Sequence, residues 1–230
     1  MKTALVDADI LCYRVAAAGN DDAAVPVLES MATVVEDLML FDLPDIENFE
    51  FFLTGKNNFR YDIATTAPYK GNRKDVERPR HLPLLRDYMV KAYGASVSEG
   101  QEADDDIAIR ATELGFGNFV IVSIDKDFLQ VPGWHYNFVK KTLKQVTEEE
   151  AMKNFYTQVL VGDTADNIKG APGIGKAKAA KLLADVTKER DLYQCCVEAM
   201  GEERVLEDAR LLWLRRFSNQ MWEPPNAEEV

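Results

Sequence analysis

Four groups of acidic residues carry the clearest chemical signal in this sequence. They are Asp7 and Asp9, Glu102 to Asp106, Asp125 and Asp127, and Asp163 and Asp166. Carboxylates this close together repel one another unless cations lie between them, and bound metal is the simplest source of such cations. Oxygen donors without a His or Cys cluster favour Mg²⁺ or Mn²⁺ over zinc. Two such ions about 3.5–4 Å apart can promote the hydrolysis of a phosphodiester.

The cations that a nucleic acid would need are concentrated in two stretches, although the chain of 230 residues has a net charge of −12. Residues 56–91 contain nine Lys or Arg against four acids, and residues 169–190 contain six against two. In the first stretch Tyr69, Lys70 and Arg73 lie within five residues. The cations could hold a scissile phosphate and the ring could stack on a terminal base. A solvated basic loop is the alternative interpretation.

The second basic stretch contains a glycine-rich turn followed by lysines. Its residues are Gly173, Gly175, Lys176, Lys178 and Lys181. The pattern resembles the hairpin of a helix-hairpin-helix, whose backbone amides and lysines bind the phosphates of one duplex strand without reading sequence. The alternative is a glycine cap followed by an ordinary surface helix. A Walker A loop is excluded because Ala177, and not Ser or Thr, follows Lys176.

Each acidic group also has a structural interpretation. An Asp at a strand end commonly caps the next helix, and Asp9 fits that role better than metal binding. The run from Glu102 to Asp106 alone is typical of a solvated helix start, where the helix dipole favours acids. Asp163 and Asp166 are expected to project from one side of a helical turn. The metal hypothesis therefore depends on the four groups occurring together.

The elements that would position these residues alternate between strands and helices. Buried strands are predicted at 4–6, 49–53 and 119–124, and helices at 26–41, 82–92 and 103–114. This alternation predicts an α/β fold, an open and mostly parallel twisted sheet flanked by helices. Asp7 and Asp125 both follow predicted strands, and the carboxyl ends of parallel strands share one edge of a sheet.

The C-terminal third is predicted to be helical. A hairpin at 135–146 is followed by a capping box at Thr147 to Glu150, which opens a helix to about Val161. Further helices are predicted at 176–184, 189–200 and 203–217, and a loose tail at Glu223 to Val230. We divide the chain into an α/β core at 1–146 with a basic gateway at 56–91, a helical DNA-binding region at 147–222 with its hairpin at 170–184, and the tail.

Bulk composition narrows the class of protein further. A content of 47% hydrophobic and 29% charged residues is typical of a globular protein with a sizeable core. No apolar run approaches the roughly 18 residues of a membrane span, and Asp7 and Asp9 interrupt the apolar N-terminus. Cys12, Cys195 and Cys196 have no zinc or disulfide spacing. We expect a protein of the reducing cytoplasm with no membrane partner.

In chain order, five motifs resemble those of the 5′-nuclease superfamily, which includes flap endonucleases and the 5′-nuclease domain of bacterial DNA polymerase I. They are LVDAD, YKGNR, EADD, SIDKDF and GDTADNIKGAPGIGKAKAAKLL, and they span residues 5–183. The chain length, FRYDIATTAPYKGNRK and LEDARLLWLRRF further resemble the 5′→3′ exonucleases of short-tailed bacteriophages. The resemblance implies a metal-dependent 5′→3′ exodeoxyribonuclease of phage DNA replication or recombination, working in the cytoplasm of an infected bacterium.

The resemblance also implies ligand sets for two Mg²⁺ or Mn²⁺ ions. The first set is Asp7, Glu102, Asp104 and Asp105, and the second is Asp125, Asp127, Asp163 and Asp166. Lys70 and Arg73 are implied to contact the scissile phosphate, and a K⁺ at the hairpin is a further candidate. The expected partner is double-stranded DNA with 5′ ends or flaps, bound by a monomer.

One departure from the family pattern follows the second strand, where another metal-binding Asp is usual and this chain has Thr54 and Gly55. Either the first metal takes an extra water, or Asp62 substitutes, or the site is weaker. We expect Gly55→Asp to tighten metal binding. A structure-specific flap endonuclease and a catalytically silent DNA-binding relative remain open. An RNA-cleaving nuclease is disfavoured because the hairpin suits duplex DNA.

Overall fold

The structure is a computed structural model that describes residues 1–73 and 76–226. The chain divides into two compact units, each with its own hydrophobic core. The first unit comprises Met1–Asn58, Glu77–Phe128 and Gly133–Gln145, and the second comprises Phe59–Val76, Leu129–Pro132 and the described chain from Val146 onward. The gateway predicted at 56–91 is thus divided between the units.

A six-stranded sheet organises the first unit, in the order β3-β2-β1-β4-β5-β6. The strands are β1 Thr3–Asp7, β2 Asn48–Lys56, β3 Ser96–Glu99, β4 Phe119–Val122, β5 Gly133–Asn137 and β6 Thr142–Val146. Strand β1 pairs in parallel with β2 on one side and with β4 on the other. The pairs β2–β3 and β4–β5 are also parallel. The buried side chains of Ala4 to Val6 leave β1 no solvated face, which is typical of a central parallel strand. The predicted α/β fold is confirmed.

The helices lie close to their predicted positions. They are α1 Ala8–Ala18, α2 Ala24–Asp37, α3 Arg60–Ile63, α4 Leu82–Tyr93, α5 Ala103–Leu114, α6 Glu148–Val161, α7 Lys176–Leu183, α8 Glu189–Met200 and α9 Glu202–Leu212. Sequence patterns missed α1 and α3, and they merged α2 with the π-helical turn that follows it at Leu38–Asp42. Leu85 and Met89 of α4 are buried in the core of the first unit.

The second unit is built on buried aromatic residues of α6. Phe155 packs edge-to-face on Trp213 with ring centroids 4.9 Å apart. The predicted capping box opens α6: the Glu150 N–H donates to Thr147 Oγ1 at 3.1 Å, and the Thr147 N–H donates to Glu150 Oε2 at 3.0 Å. Helix α9 stops at Leu212, five residues before its predicted end, where the backbone of Trp213 becomes extended. Fully buried Arg60 donates to the Leu211 and Trp213 carbonyls at this end, at 2.8 Å each.

The predicted C-terminal tail is fixed in part. Glu223 forms a 2.6 Å ion pair with Arg210, whereas residues 227–230 lie outside the described residues. Lys74 of the basic stretch also lies outside them. Among the residues that the structure describes, no helix combines the length and the hydropathy needed to cross a membrane.

Candidate functional site

Asp7 ends β1 at the carboxyl edge of the sheet and is the N-cap of α1. Its Oδ1 accepts the Ile10 N–H at 3.2 Å, and its Oδ2 accepts the Ser123 hydroxyl at 2.9 Å. Burial raises the pKa of Asp7 to about 6, and the nearby carboxylate of Asp125 adds to this, although the two hydrogen bonds oppose it. The negative charge of Asp7 is therefore costly to the protein alone and would be stabilised by a cation.

The carboxylates that follow β4 are held by a short network after the strand end. The Asp125 N–H donates to Ser123 Oγ at 3.0 Å, and the Asp127 N–H donates to Asp125 Oδ1 at 3.0 Å. Asp125 is exposed, and Asp127 is the second residue of the 3₁₀ turn Lys126–Gln130. Since Ser123 joins Asp7 to the Asp125 backbone, the ends of β1 and β4 meet as predicted.

Glu102 and Asp105 form a reciprocal capping box at the start of α5. The Glu102 carboxylate accepts the Asp105 N–H, and the Asp105 carboxylate accepts the Glu102 N–H at 3.1 Å. Both side chains are buried, so the solvated helix start proposed from sequence is wrong for these two. Asp104, in the first turn, is partly exposed. The predicted start of a helix here is confirmed, and its cap is formed by acids withdrawn from water.

Thr54 is one of the two residues, with Gly55, at the place where the family pattern has an acid. Its Oγ1 accepts the Ala103 N–H at 3.0 Å, and its N–H donates to Asp9 Oδ2 at 2.6 Å. Arg86 of α4 ion-pairs with Asp9 and donates to the Thr54 carbonyl. Asp9 is therefore not the helix cap predicted for it, since Asp7 caps α1 and Asp9 instead ties α1 to β2 and α4.

Gly55 is a glycine because strand β3 lies against it. A Cβ at this position would be 1.9 Å from the carbonyl oxygen of Ser98. Any side chain at this position must first displace β3. The expectation that Gly55→Asp tightens metal binding assumed free space here, and that premise is wrong. Asp62, the other proposed substitute, is exposed and belongs to α3 of the second unit.

Asp163 and Asp166 lie in a closed loop, and not on the helical turn predicted for them. Asp163 and Ile168 exchange backbone hydrogen bonds of 2.9 and 2.7 Å, forming an antiparallel bridge. The neck of the loop is formed by Gly162 and Gly170, both at positive φ, and a Cβ on Gly170 would be 2.4 Å from the Gly162 nitrogen. We call residues 162–170 the acidic loop. Its shape requires these two glycines.

The basic residues predicted to contact phosphate lie directly against the acidic loop. Arg73 forms a 2.7 Å ion pair with Asp166, and Lys70 Nζ is 3.9 Å from the same carboxylate. The Lys70 N–H donates to the Asp166 carbonyl at 2.9 Å. Lys70 has φ +52, a strained conformation for a residue with a side chain, and such strain is concentrated at functional sites. We call residues 65–73 the basic loop.

Tyr69 is not the exposed stacking ring that the sequence predicts. Its ring is buried in the core of the second unit, and its hydroxyl donates to Asp166 at 2.9 Å. Tyr61 packs edge-to-face on Tyr69 with centroids 5.5 Å apart and is 59% exposed. Tyr61 is therefore the ring of this pair that a base could reach.

The hairpin presents backbone and lysines to solvent. Gly173 has φ +70, and Cβ atoms at Gly173 and Gly175 would meet nothing within 4 Å. The α7 residues Lys176, Lys178 and Lys181 are all exposed. The segment before the turn is the acidic loop and not a short helix, so the predicted arrangement of two short helices is not observed. Phosphate binding by this segment stays a prediction.

In the part of the chain that the structure describes, no three His, Cys, Asp or Glu side chains form a group that could hold a metal ion. Asp105 and Asp166 contact protein groups instead. The two predicted ligand sets therefore stay predictions, as does the K⁺. Their chemistry fits a hard divalent ion, because the donors are oxygens and because the carboxylate of Asp7 accepts its two hydrogen bonds from neutral groups.

Three contributors to these networks were missed by sequence reasoning. Ser123 joins Asp7 to the Asp125 backbone, Thr54 binds the start of α5, and Arg86 neutralises Asp9. Ser123 lies inside the motif SIDKDF, so its position beside the acids was a usable signal. Arg86 carried no such signal, because its role depends on the packing of α4.

No protein-family profile matches the chain. It is 33% identical to DNA polymerase I of Bacillus caldotenax over 66% of this chain and 19% of that protein. It is 28% identical to the flap endonuclease Xni of Shewanella piezotolerans over 88% of this chain and 84% of that protein. It is 34% identical to Xni of Shewanella woodyi over 54% of this chain and 55% of that protein. The chain thus spans about a fifth of the length of the polymerase and about half of the length of Xni of Shewanella woodyi.

The fold resembles solved structures of a phage nuclease. The bacteriophage T5 D15 flap endonuclease, in a pseudo-enzyme–product complex with DNA and metal ions, matches with a TM-score of 0.66 at 17% identity, over 92% of this chain and 86% of that one. T5 5′-exonuclease with bound zinc matches with a TM-score of 0.65 over the same shares. The motifs, the sequence similarity and the fold together confirm the resemblance of this chain to the 5′-nuclease superfamily.

Proposed function

We propose that this protein is a divalent-metal-dependent 5′→3′ exodeoxyribonuclease that hydrolyses phosphodiester bonds of duplex DNA from 5′ ends. A relative that matches 88% of this chain and 84% of its own length is named as a flap endonuclease, and the T5 structures are named as a flap endonuclease and a 5′-exonuclease. Two metal ions, a role in phage replication or recombination, a cytoplasmic location and action as a monomer are parts of this proposal.

Asp7 is the observation that carries the proposal. Asp7 is a carboxylate at the end of a parallel strand with a pKa raised to about 6 by burial, and its structural roles are to cap α1 and to accept the Ser123 hydroxyl. A neutral Ser or Asn would cap that helix equally well. A carboxylate at this position, beside Asp125, supports the proposal that a cation is bound during function.

Some residues of the chain would bind the DNA phosphates, and others would stabilise the charge that develops during hydrolysis. Lys70 and Arg73 would exchange Asp166 for the scissile phosphate and stabilise the charge that develops on it. The amides at Gly173 and Gly175 and the lysines of α7 would bind phosphates of the duplex. Mg²⁺ or Mn²⁺ held by Asp7, Glu102, Asp104 and Asp105 would supply Lewis-acid stabilisation of the phosphodiester.

Incubation of a 5′-labelled duplex with the protein in Mg²⁺, Mn²⁺ or EDTA tests the proposal. We expect short labelled products in either metal and none in EDTA. Duplex binding without cleavage in any buffer would instead identify a silent DNA-binding relative.

A flap endonuclease is the second candidate, because flap endonucleases recur among the relatives. A duplex with an unpaired 5′ arm separates the two activities. Release of the whole arm as one product supports a flap endonuclease, whereas a ladder of mono- and dinucleotides supports an exonuclease.

A further inference from the structure

Helix α9 carries adjacent acids that bind two different loops of the second unit. The Glu207 Oε1 accepts the N–H groups of Thr65 and Thr66 at 2.7 Å each, and its Oε2 accepts the Thr66 hydroxyl at 2.5 Å. Although burial opposes it, these hydrogen bonds lower the pKa of Glu207. One carboxylate thereby fixes the start of the basic loop.

Asp208, the next residue, fixes the neck of the acidic loop. It is 1% exposed, and its Oδ2 accepts the Gly170 N–H at 3.2 Å while Arg204 lies 3.1 Å from its other oxygen. Gly170 also begins the hairpin that contains Gly173. Because successive side chains on an α-helix point about 100° apart, two neighbouring residues can bind two separate segments.

The two loops are also joined to each other by side chains that donate to backbone carbonyls. Asn72 donates to the Thr164 carbonyl at 2.6 Å, and Asn167 donates to the Pro68 carbonyl at 3.0 Å. These bonds fix one loop relative to the other, but they do not fix the joined pair relative to the helices. The Glu207 and Asp208 contacts with α9 do so, together with the burial of Tyr69 in the core of the second unit.

We propose that Glu207 and Asp208 are positioning residues that set where the basic loop lies relative to the hairpin, and hence which phosphodiester along the strand reaches Lys70 and Arg73. This inference rests on the proposed nuclease function. Phosphates of the duplex bound at the hairpin fix the register of the DNA, and the distance from there to Lys70 then selects the bond. A displacement of about 1 Å is enough to slow an oriented reaction by up to about a hundredfold.

The test compares Glu207→Ala with Glu207→Gln and with Glu203→Ala, a matched loss of one acid from the exposed first turn of α9. We expect Glu207→Ala to lower kcat at saturating duplex by about tenfold, to leave duplex Kd within about twofold, and to broaden the distribution of product lengths. Glu207→Gln keeps an acceptor for both Thr amides and should restore most of the rate and the sharp product pattern. Glu203→Ala should match the wild type.

Unchanged kcat and product lengths in Glu207→Ala, with the wild type active, would overturn the inference and leave the nuclease function standing. An inactive wild type would instead refute the proposed function. If Glu207→Ala loses its folded circular dichroism spectrum, Thr66→Val replaces it, since this change removes only the hydroxyl bond to Glu207. An altered product pattern in a folded Thr66→Val supports the inference, and a wild-type pattern overturns it.

Discussion

Asp7 and Asp166 are both acids of the predicted metal sites, yet their surroundings are opposite. Asp7 accepts hydrogen bonds from a hydroxyl and a backbone amide, both neutral, and the neighbouring Asp125 raises its pKa further. Asp166 lies within 4 Å of two cations, Arg73 and Lys70, and accepts the hydroxyl of Tyr69. The charge of Asp7 therefore destabilises the first unit, whereas the charge of Asp166 stabilises the second unit.

This difference separates two roles that look identical in sequence. An acid whose charge destabilises the fold is kept for a ligand, so its removal should harm function and spare stability. An acid that neutralises cations also organises the loops around it. Its removal should harm both, because the cations and the Tyr69 hydroxyl lose their acceptor.

The largest effect is expected for Asp7→Asn. The change keeps a cap for α1 but removes a charge that the metal needs, so cleavage should fall by at least about a thousandfold. In EDTA at pH 8, where Asp7 is ionised in the wild type, the free energy of unfolding should rise by about 1–2 kcal/mol. Urea denaturation and the labelled-duplex assay measure the two effects, and duplex binding serves as the control. Near wild-type turnover would remove Asp7 from the site.

Asp166→Ala should show the opposite sign in stability. Cleavage should fall by about a hundredfold, and the free energy of unfolding should also fall by about 1–3 kcal/mol, because Tyr69 is buried and loses its partner. The same urea titration compares this variant with Asp7→Asn. Equal stability of Asp166→Ala and wild type would mean that the ion pair does not hold the loops, and the contrast with Asp7 would fail.

Much of this fold could be predicted because its signals are local. The apolar runs of β1, β2 and β4 and the capping box at Thr147 each depend on a few neighbouring residues. Strand β3 was missed because its four residues, Ser96 to Glu99, are mostly exposed and carry little apolar pattern. An edge strand is defined by its pairing with a neighbour and not by its own composition.

The candidate site was predicted in its residue types and less well in its contacts. Tyr69 and Lys70 were singled out for base stacking and phosphate contact, but burial of the Tyr69 ring depends on packing against the helices of the second unit. The close approach of Ser98 to Gly55 is likewise invisible in sequence, since it joins residues 43 positions apart. Long-range packing decides such features.

Two glycines extend the comparison between the units. Gly55→Ala in the first unit should cost about 1–3 kcal/mol of unfolding free energy, because its Cβ would overlap the Ser98 carbonyl oxygen. Gly175→Ala in the second unit should change stability by less than about 0.5 kcal/mol, since its Cβ meets open space and its φ of −93 suits any residue. Thermal and urea unfolding measure both. Equal stabilities would show that β3 can move away from β2.

The smallest effect is expected from the lysines of α7, because each binds at most one phosphate at an exposed position. Lys178 and Lys181 are three residues apart and so lie on one face of the helix. Replacing both with Ala should reduce the slope of log affinity against log salt by roughly 1.8, at about 0.9 for each phosphate that is no longer neutralised.

Duplex binding measured between about 50 and 200 mM salt gives that slope. A Lys140→Ala, Lys188→Ala double variant is the matched control, because it removes the same charge from exposed positions outside the hairpin. Cleavage at saturating DNA should stay close to wild type in both double variants, since neither changes the acids or the basic loop. Identical slopes in the two double variants would mean that these lysines act only through net charge, and α7 would then be an ordinary surface helix.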